Sequence, residues 1–291
     1  MARVEVTDVF LRDGIQDEPV LLTPAQRVEI GEAVAAAGVP RLEVASFVNP
    51  ARVPQMAGAE EVLAGLAARV DAELTVLTLN GRGVDRAVAA GAEHVQIVTS
   101  ASEEHSAANA GRSVDAALAD LAGQVAAHPG TDFVAGVSTA FTYPVDTLIG
   151  AEQLLRVVRA FRAMGVRTIG LADTLGTTST ADLMAAVDHV LDAEPDLAFS
   201  LHLHDALGQA LDTVDAALER GIVRFDAALG GYGGCPFAPG AAGNLSTGEL
   251  VRHLHERGHE TGIDEDRLAE ATALARSIMA AAPAAPATAH A

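Results

Sequence analysis

Ala198-Phe199-Ser200-Leu201-His202-Leu203-His204 is an apolar-polar alternation that ends at Asp205. A period of two marks a β-strand, in which residues two apart share a face. His202 and His204 therefore project side by side from the end of one strand. Two neutral imidazoles at that spacing supply half of a divalent-metal site. A second pair, His253-Leu254-His255, lies in a helical pattern, where residues two apart diverge by about 200°. It reads as solvated surface.

Outward from this strand, the same kind of run recurs along the chain. Strand patterns occupy residues 4–9, 41–46, 73–79, 94–98, 133–139, 168–172 and 224–228, besides 198–204. Helical patterns lie between them, the clearest starting at Thr23-Pro24, at Ser113, at Thr180 and near Gln209. Thr23 before Pro24 is an N-cap followed by proline at the first helical position. Gly38, Gly91, Gly165 and Gly221 suit helix C-termini. Strands that alternate with helical crossovers, with no long polar linker, predict an α/β protein: a (β/α)8 TIM barrel with additional C-terminal helices. An open doubly wound sheet is the alternative, but the first βα loop lacks the glycine fingerprint of a dinucleotide site. The expected organisation is a barrel over residues 1–262, a C-terminal helix packed on it over 263–282, and a disordered Ala/Pro tail over 283–291. Further helical stretches lie near 247–257 and 265–281.

Composition narrows the chemistry. A net charge of −20 argues against nucleic acid and anionic membrane as partners. Apolar runs are short and broken by charge, so none approaches the ~20 residues of a membrane span. The first residues form a strand pattern rather than a signal peptide. A single cysteine, Cys235, excludes an internal disulfide and fits a reducing cytosol, so a cytoplasmic protein is expected. All 19 basic Lys+Arg residues are arginine. Catalysis through a lysine Schiff base is therefore impossible. Carbon–carbon chemistry beside a carbonyl would need another electrophile, and a metal is the obvious one.

In a barrel, function gathers at the C-terminal ends of the strands. Polar groups cluster there. Leu11-Arg12-Asp13-Gly14-Ile15-Gln16 follows the first strand, Glu43 and Ser46 end the second, and Asp173-Thr174 ends the sixth. A glycine-rich stretch, 230–236, and then Gly243-Asn244 follow the eighth. Closure of the sheet makes the seventh, eighth and first strands neighbours. Asp13, His202, His204 and Asn244 can then converge on one ion. This mixed N/O shell suits Mg2+ or Mn2+, with Zn2+ or Co2+ as competitors. Arg12 beside such an ion would be a fixed, protonated donor for an enolate oxygen. Glu43 would pair with Arg12 and orient it. Taken alone, Arg12-Asp13-Gly14 also reads as an ordinary turn and Asp173 as a helix N-cap. Cys235 stands between glycines and a proline, which favours a reactive thiol over an inert core one. The glycine-rich loop reads as a lid over the site.

These residues carry a resemblance. Arg12-Asp13-Gly14-Ile15-Gln16, Glu43-Val44-Ala45-Ser46-Phe47, Val53-Pro54-Gln55-Met56, Asp173-Thr174-Leu175-Gly176, His202-Leu203-His204-Asp205 and the stretch from Gly233 through Cys235 to Asn244 and Leu245 resemble the 3-hydroxy-3-methylglutaryl-CoA lyases. These form a branch of the metal-dependent TIM-barrel lyases and Claisen synthases. The resemblance runs from about residue 4 to 262, and its last motif is the most specific. It implies cleavage of a β-hydroxyacyl-CoA to acetyl-CoA and a ketoacid, acetoacetate in the namesake reaction. It also implies a metal on Asp13, His202, His204 and Asn244, with Arg12 facing the thioester carbonyl and Cys235 in proton transfer. His202 or Asp173, acting through water, is the expected base. Arg12, Gln16 and Ser46 are expected to face the substrate.

Departures fall at substrate-facing positions: Asp17-Glu18-Pro19, Asn49-Pro50-Ala51-Arg52, Thr142-Tyr143-Pro144 and Ala206-Leu207 replace the usual family residues. The acyl group and its carrier are thus left open. A small-molecule acyl-CoA is the expected partner, and a homodimer the expected assembly. The rival readings are an aldolase or Claisen-type synthase acting on another ketoacid, and a catalytically silent metal-binding barrel. Retention of Arg12 and Cys235 beside the ligands speaks against the silent barrel, which needs neither.

Overall fold

The computed structural model describes residues 2–233 and 243–285. Eight strands close into one parallel barrel: β1 (Glu5–Asp8), β2 (Arg41–Ser46), β3 (Glu73–Thr78), β4 (His94–Ser100), β5 (Asp132–Ser138), β6 (Thr168–Asp173), β7 (Ala198–Leu203) and β8 (Arg224–Ala227). Around them run α1 (Pro24–Ala36), α2 (Ala59–Ala67), α3 (Gly81–Ala89), α4 (Glu103–Ala110), α5 (Val114–Ala127), α6 (Ala151–Ala163), α7 (Thr180–Ala193) and α8 (Ala210–Glu219). Then come α9 (Thr247–Glu256) and α10 (Glu265–Ala281), which packs on α1. The expected barrel is what forms, and the open sheet is not. β1 pairs with both β2 and β8, which closes the ring. None of the helices described is long and apolar enough to cross a membrane.

Local chemistry sets the element boundaries. The Thr23 hydroxyl accepts from the Gln26 N–H, and the Gln26 side chain accepts from the Thr23 N–H, a reciprocal cap with Pro24 at the first helical position. Gly38 ends the same helix at φ +93°, where a Cβ would lie 2.5 Å from the Gly262 carbonyl oxygen. The second histidine pair is less solvated than its pattern suggests. His253 Nε2 lies 2.8 Å from Asp215, while His255 meets Glu265 at 2.6 Å and Thr261 at 2.8 Å. The two rings do diverge, each to a different helix neighbour. Residues 283–285, the head of the expected tail, lie against the chain near Val20: Leu21 N–H donates to Pro283 O and Ala285 N–H to Pro19 O.

Alternation along the strands separates two environments. Val6, Val44, Val76, Val95, Ile169 and Leu201 are fully buried and face the helices, where Ile30, Leu66, Leu121 and Phe161 meet them. Their neighbours point inward, and this layer is polar. Thr7, Glu43, Thr75, Gln96, Ser200 and Asp226 line an interior void of about 60 Å³. Barrel interiors are more often filled by branched aliphatic side chains. At the N-terminal end of the strands, Arg41 bridges Glu5 (3.1 Å) and Glu73 (3.0 Å), and Arg224 joins Glu5 (3.0 Å).

Arg27, on α1, is buried completely without an ion-pair partner among the described residues. Its guanidinium donates to the carbonyls of Val44 (2.8 Å), Leu11 (3.2 Å), Ala57 (3.3 Å) and Gln55 (3.4 Å). Burial lowers its pKa to about 10, so it stays protonated at neutral pH. One side chain thus ties the outer helix to the strand carrying Glu43 and to the turn carrying Arg12. Arg27→Met removes the donor and leaves buried carbonyls unpaired, each such loss costing about 1–3 kcal/mol. The variant is expected to lose at least about 3 kcal/mol in chemical denaturation. A loss below about 1 kcal/mol would show that water replaces the guanidinium.

Candidate active site

The C-terminal mouth of the barrel gathers the charged groups. After β1, residues Phe10–Gly14 form one turn of π-helix. Arg12 and Gly14 N–H both donate to the Val9 carbonyl, each at 3.1 Å. This wide turn, rather than an ordinary one, sets Arg12 and Asp13 side by side over the barrel. Arg12 Nε donates to Glu43 Oε2 at 2.5 Å, and its Nη1 donates to Asp13 Oδ1. The planar guanidinium is therefore clamped by two carboxylates, Glu43 from β2 and Asp13 from its own turn.

Asp13 Oδ2 lies 3.6 Å from His204 Nε2 and 3.8 Å from His202 Nε2. The two Nε2 atoms are 3.3 Å apart, and the three possible ligand atoms all fall within 4.8 Å of one another. Asn244 is brought in by an antiparallel bridge to His204, reinforced by Leu245 N–H donating to Leu203 O at 2.9 Å. Its Nδ2 donates to Asp13 Oδ2 (2.7 Å) and to Tyr232 O (2.9 Å), which seats the amide beside the Asp/His/His cluster. Gly233 makes room for this contact: at φ +99°, a Cβ there would lie 2.4 Å from Asn244 Nδ2 and 2.9 Å from Asp13 O. The closed barrel thus brings together all four expected ligand residues.

Electrostatics follow from burial and pairing. Burial opposes the charge on Asp13, but Arg12 and the two imidazoles hold its carboxyl well below the usual range. Burial also opposes the charge on Arg12, and Asp13 and Glu43 more than offset it. Glu43 is shifted upward by burial, with Arg12 pulling the other way, and its Oε1 finds no hydrogen-bond partner among the described residues. An ionised aspartate and two buried imidazoles, with the Asn244 side chain beside them, form a mixed N/O set that fits a divalent cation. The buried His204 Nδ1 has no hydrogen-bond partner among the described residues, so the ring's contacts run through Nε2.

The remaining expected site residues have definite places. Asp173 ends β6, buried, and accepts from the Thr178 hydroxyl (2.9 Å) and N–H (3.2 Å). Thr178 in turn meets the Thr142 hydroxyl at 2.8 Å. The cap of α7 is Ser179, so Asp173 is not that helix's N-cap. Burial pushes the Asp173 carboxyl up. Ser46 is buried, with its hydroxyl unpartnered among the described residues, and Gln16 is half-buried just beyond the π-turn. Cys235 lies outside the described residues, as does the rest of 234–242. The sequence reading missed Asp226, which β8 places beside His202, and Arg27 behind the Arg12 turn. A charged residue at an inward position of a barrel strand was the available signal for Asp226. A groove of about 860 Å³ at the other end, between α5 and α6, contains none of these residues.

Comparison with known proteins agrees with this geometry. The HMGL-like family profile matches residues 3–275. The chain is 39% identical to (R)-citramalyl-CoA lyase of Chloroflexus aurantiacus, covering 94% of this chain and 90% of that one. It is 34% identical to hydroxymethylglutaryl-CoA lyase of Pseudomonas mevalonii, over 93% and 90%. An HMG-CoA lyase from Acinetobacter baumannii, solved with coenzyme A and 3-methylmalate, superposes with a TM-score of 0.90 at 35% identity, covering 96% of this chain and 92% of that one. Barrel, Asp13–His202–His204 cluster and sequence similarity converge: the chain belongs to the HMGL-like family of divalent-metal-dependent carbon–carbon lyases.

Proposed function

We propose that this chain cleaves a branched β-hydroxyacyl-CoA to acetyl-CoA and a ketoacid, with (R)-citramalyl-CoA and 3-hydroxy-3-methylglutaryl-CoA as the substrate class. The observation that carries this reading is Arg12, clamped by Glu43 and Asp13, beside the Asp13, His202, His204 and Asn244 donor set. Both acyl groups are tertiary alcohols bearing a methyl group and a terminal carboxylate, and they differ by one methylene. The similarity to a citramalyl-CoA lyase and the departures at substrate-facing positions support a substrate other than the six-carbon acyl group.

Asp13, His202, His204 and Asn244 would hold Mg2+ or Mn2+, which when bound supplies Lewis acidity at the substrate hydroxyl and its neighbouring oxygen. Arg12 would donate to the thioester oxygen, where negative charge develops. The Asp173 carboxylate, ordered by Thr178, would take the hydroxyl proton through water. The C–C bond then breaks, its electron pair passes to the thioester as an enolate, and the alcohol carbon becomes the ketone of the released acid. Protonation of the enolate carbon, with the Cys235 thiol as donor, gives acetyl-CoA. Gln16 and Ser46 would face the substrate at the rim.

Incubation of Mg2+- or Mn2+-loaded protein with the two thioesters is expected to release acetyl-CoA from at least one. Because one methylene changes pocket binding by about 1–3 kcal/mol, kcat/KM for the two should differ by roughly 10- to 200-fold. Release from neither, with turnover of CoA-free 4-hydroxy-2-oxoacids instead, would replace the lyase by an aldolase.

A further inference from the structure

We propose that Asp226 is a positioning residue for His202: its carboxylate accepts the Nδ1 proton and fixes the imidazole as the tautomer whose bare Nε2 faces the ion. This inference rests on the metal reading above. The β7–β8 register sets His202 directly opposite Asp226, and closure sets Asp226 opposite Thr7 of β1. Asp226 Oδ2 lies 3.4 Å from His202 Nδ1. The other ring nitrogen points to the opposite side, 3.3 Å from His204 Nε2 and 3.8 Å from Asp13 Oδ2. The ring thus spans the gap between the polar barrel interior and the donor cluster.

The charge inventory explains why this contact is the purpose of the carboxylate. Arg12, which feels the Asp226 charge, makes its ion pairs with Glu43 and Asp13 instead. Arg224, two residues before Asp226, pairs with Glu5 at the far end. Among the described residues, the ion pair recorded for Asp226 is the one with His202. A carboxylate placed inside a barrel costs desolvation that a threonine or valine would not. Its return is control of which nitrogen carries the proton, because a ligating imidazole must present the bare one. His204 offers the internal contrast, since its Nδ1 has no hydrogen-bond partner among the described residues. One ligand ring is held from behind and the other is not.

The test uses the full chain, first stripped of metal. Long-range 1H–15N imidazole spectra at a pH where His202 is neutral are expected to show the Nδ1–H tautomer in the unmodified protein. Asp226→Asn and Asp226→Ala should shift that ring toward the Nε2–H form while leaving His204 unchanged. Titration with Mn2+ should then show affinity weakened 10- to 100-fold in both variants, with far-UV circular dichroism preserved. Asp226→Asn is isosteric and keeps the test open should the alanine variant unfold. An Nε2–H ring in the unmodified protein, or Mn2+ affinity within threefold in the asparagine variant, would overturn the inference. An unmodified protein that binds no divalent cation would overturn the metal reading instead, and the metal-free tautomer spectrum would still report on Asp226.

Discussion

Arg12→Lys is expected to keep its divalent ion and lose at least about a hundredfold in kcat/KM. The guanidinium of Arg12 is fixed by two carboxylates, through Nε to Glu43 and Nη1 to Asp13, so its remaining donors have one orientation. A donor fixed in that way at a developing oxyanion is worth about 3–4 kcal/mol of transition-state stabilisation. The ammonium of lysine carries the same charge on a flexible stem. It cannot bridge both carboxylates and still present a planar fork to the substrate. Elemental analysis separates loss of donor geometry from loss of metal. A variant turning over within a few-fold of the parent would reduce Arg12 to a structural partner of Glu43.

His202→Ala should have the larger effect, because on the proposed reading it removes an ion ligand and the partner of Asp226 together. Metal content after dialysis is expected to fall to a small fraction of the parent's, and lyase activity with it. A second readout is thermal. Ligand that binds only the folded state stabilises by RT ln(1 + [L]/Kd), about 2.7 kcal/mol at a hundredfold excess over Kd. The parent's Tm should therefore rise with added Mn2+, and the variant's should not. Full metal occupancy in His202→Ala would refute the ligand assignment.

Much of this arrangement was legible in the chain. Alternation in 198–204 located β7 and pointed both imidazoles one way, and the recurrence of such runs implied closure. Thr23-Pro24 marked a helix start that the reciprocal cap with Gln26 bears out. Closure also justified grouping Asp13 with residues more than 180 positions away. What stayed hidden depends on register and depth. Asp226 sits in a short strand whose pattern does not reveal which neighbour it opposes, and only the β7–β8 pairing sets it against His202. Arg27 reads as an ordinary helical surface residue until α1 is seen to lean on the Leu11 and Val44 carbonyls. The π-turn at Phe10–Gly14 has no sequence period long enough to betray it.

The polar layer inside the barrel carries a wider consequence. Thr75, Gln96 and Ser200 occupy positions where aliphatic side chains would pack more densely around a void of about 60 Å³. They surround Glu43 and Asp226, whose charges an apolar filling would strand. The barrel's centre is thus where robustness and reactivity compete for the same space. Selection for heat resistance alone would tend to grease this interior and disarm the mouth above it. Engineering that aims to keep turnover should look for its gains in the outer ring of helices.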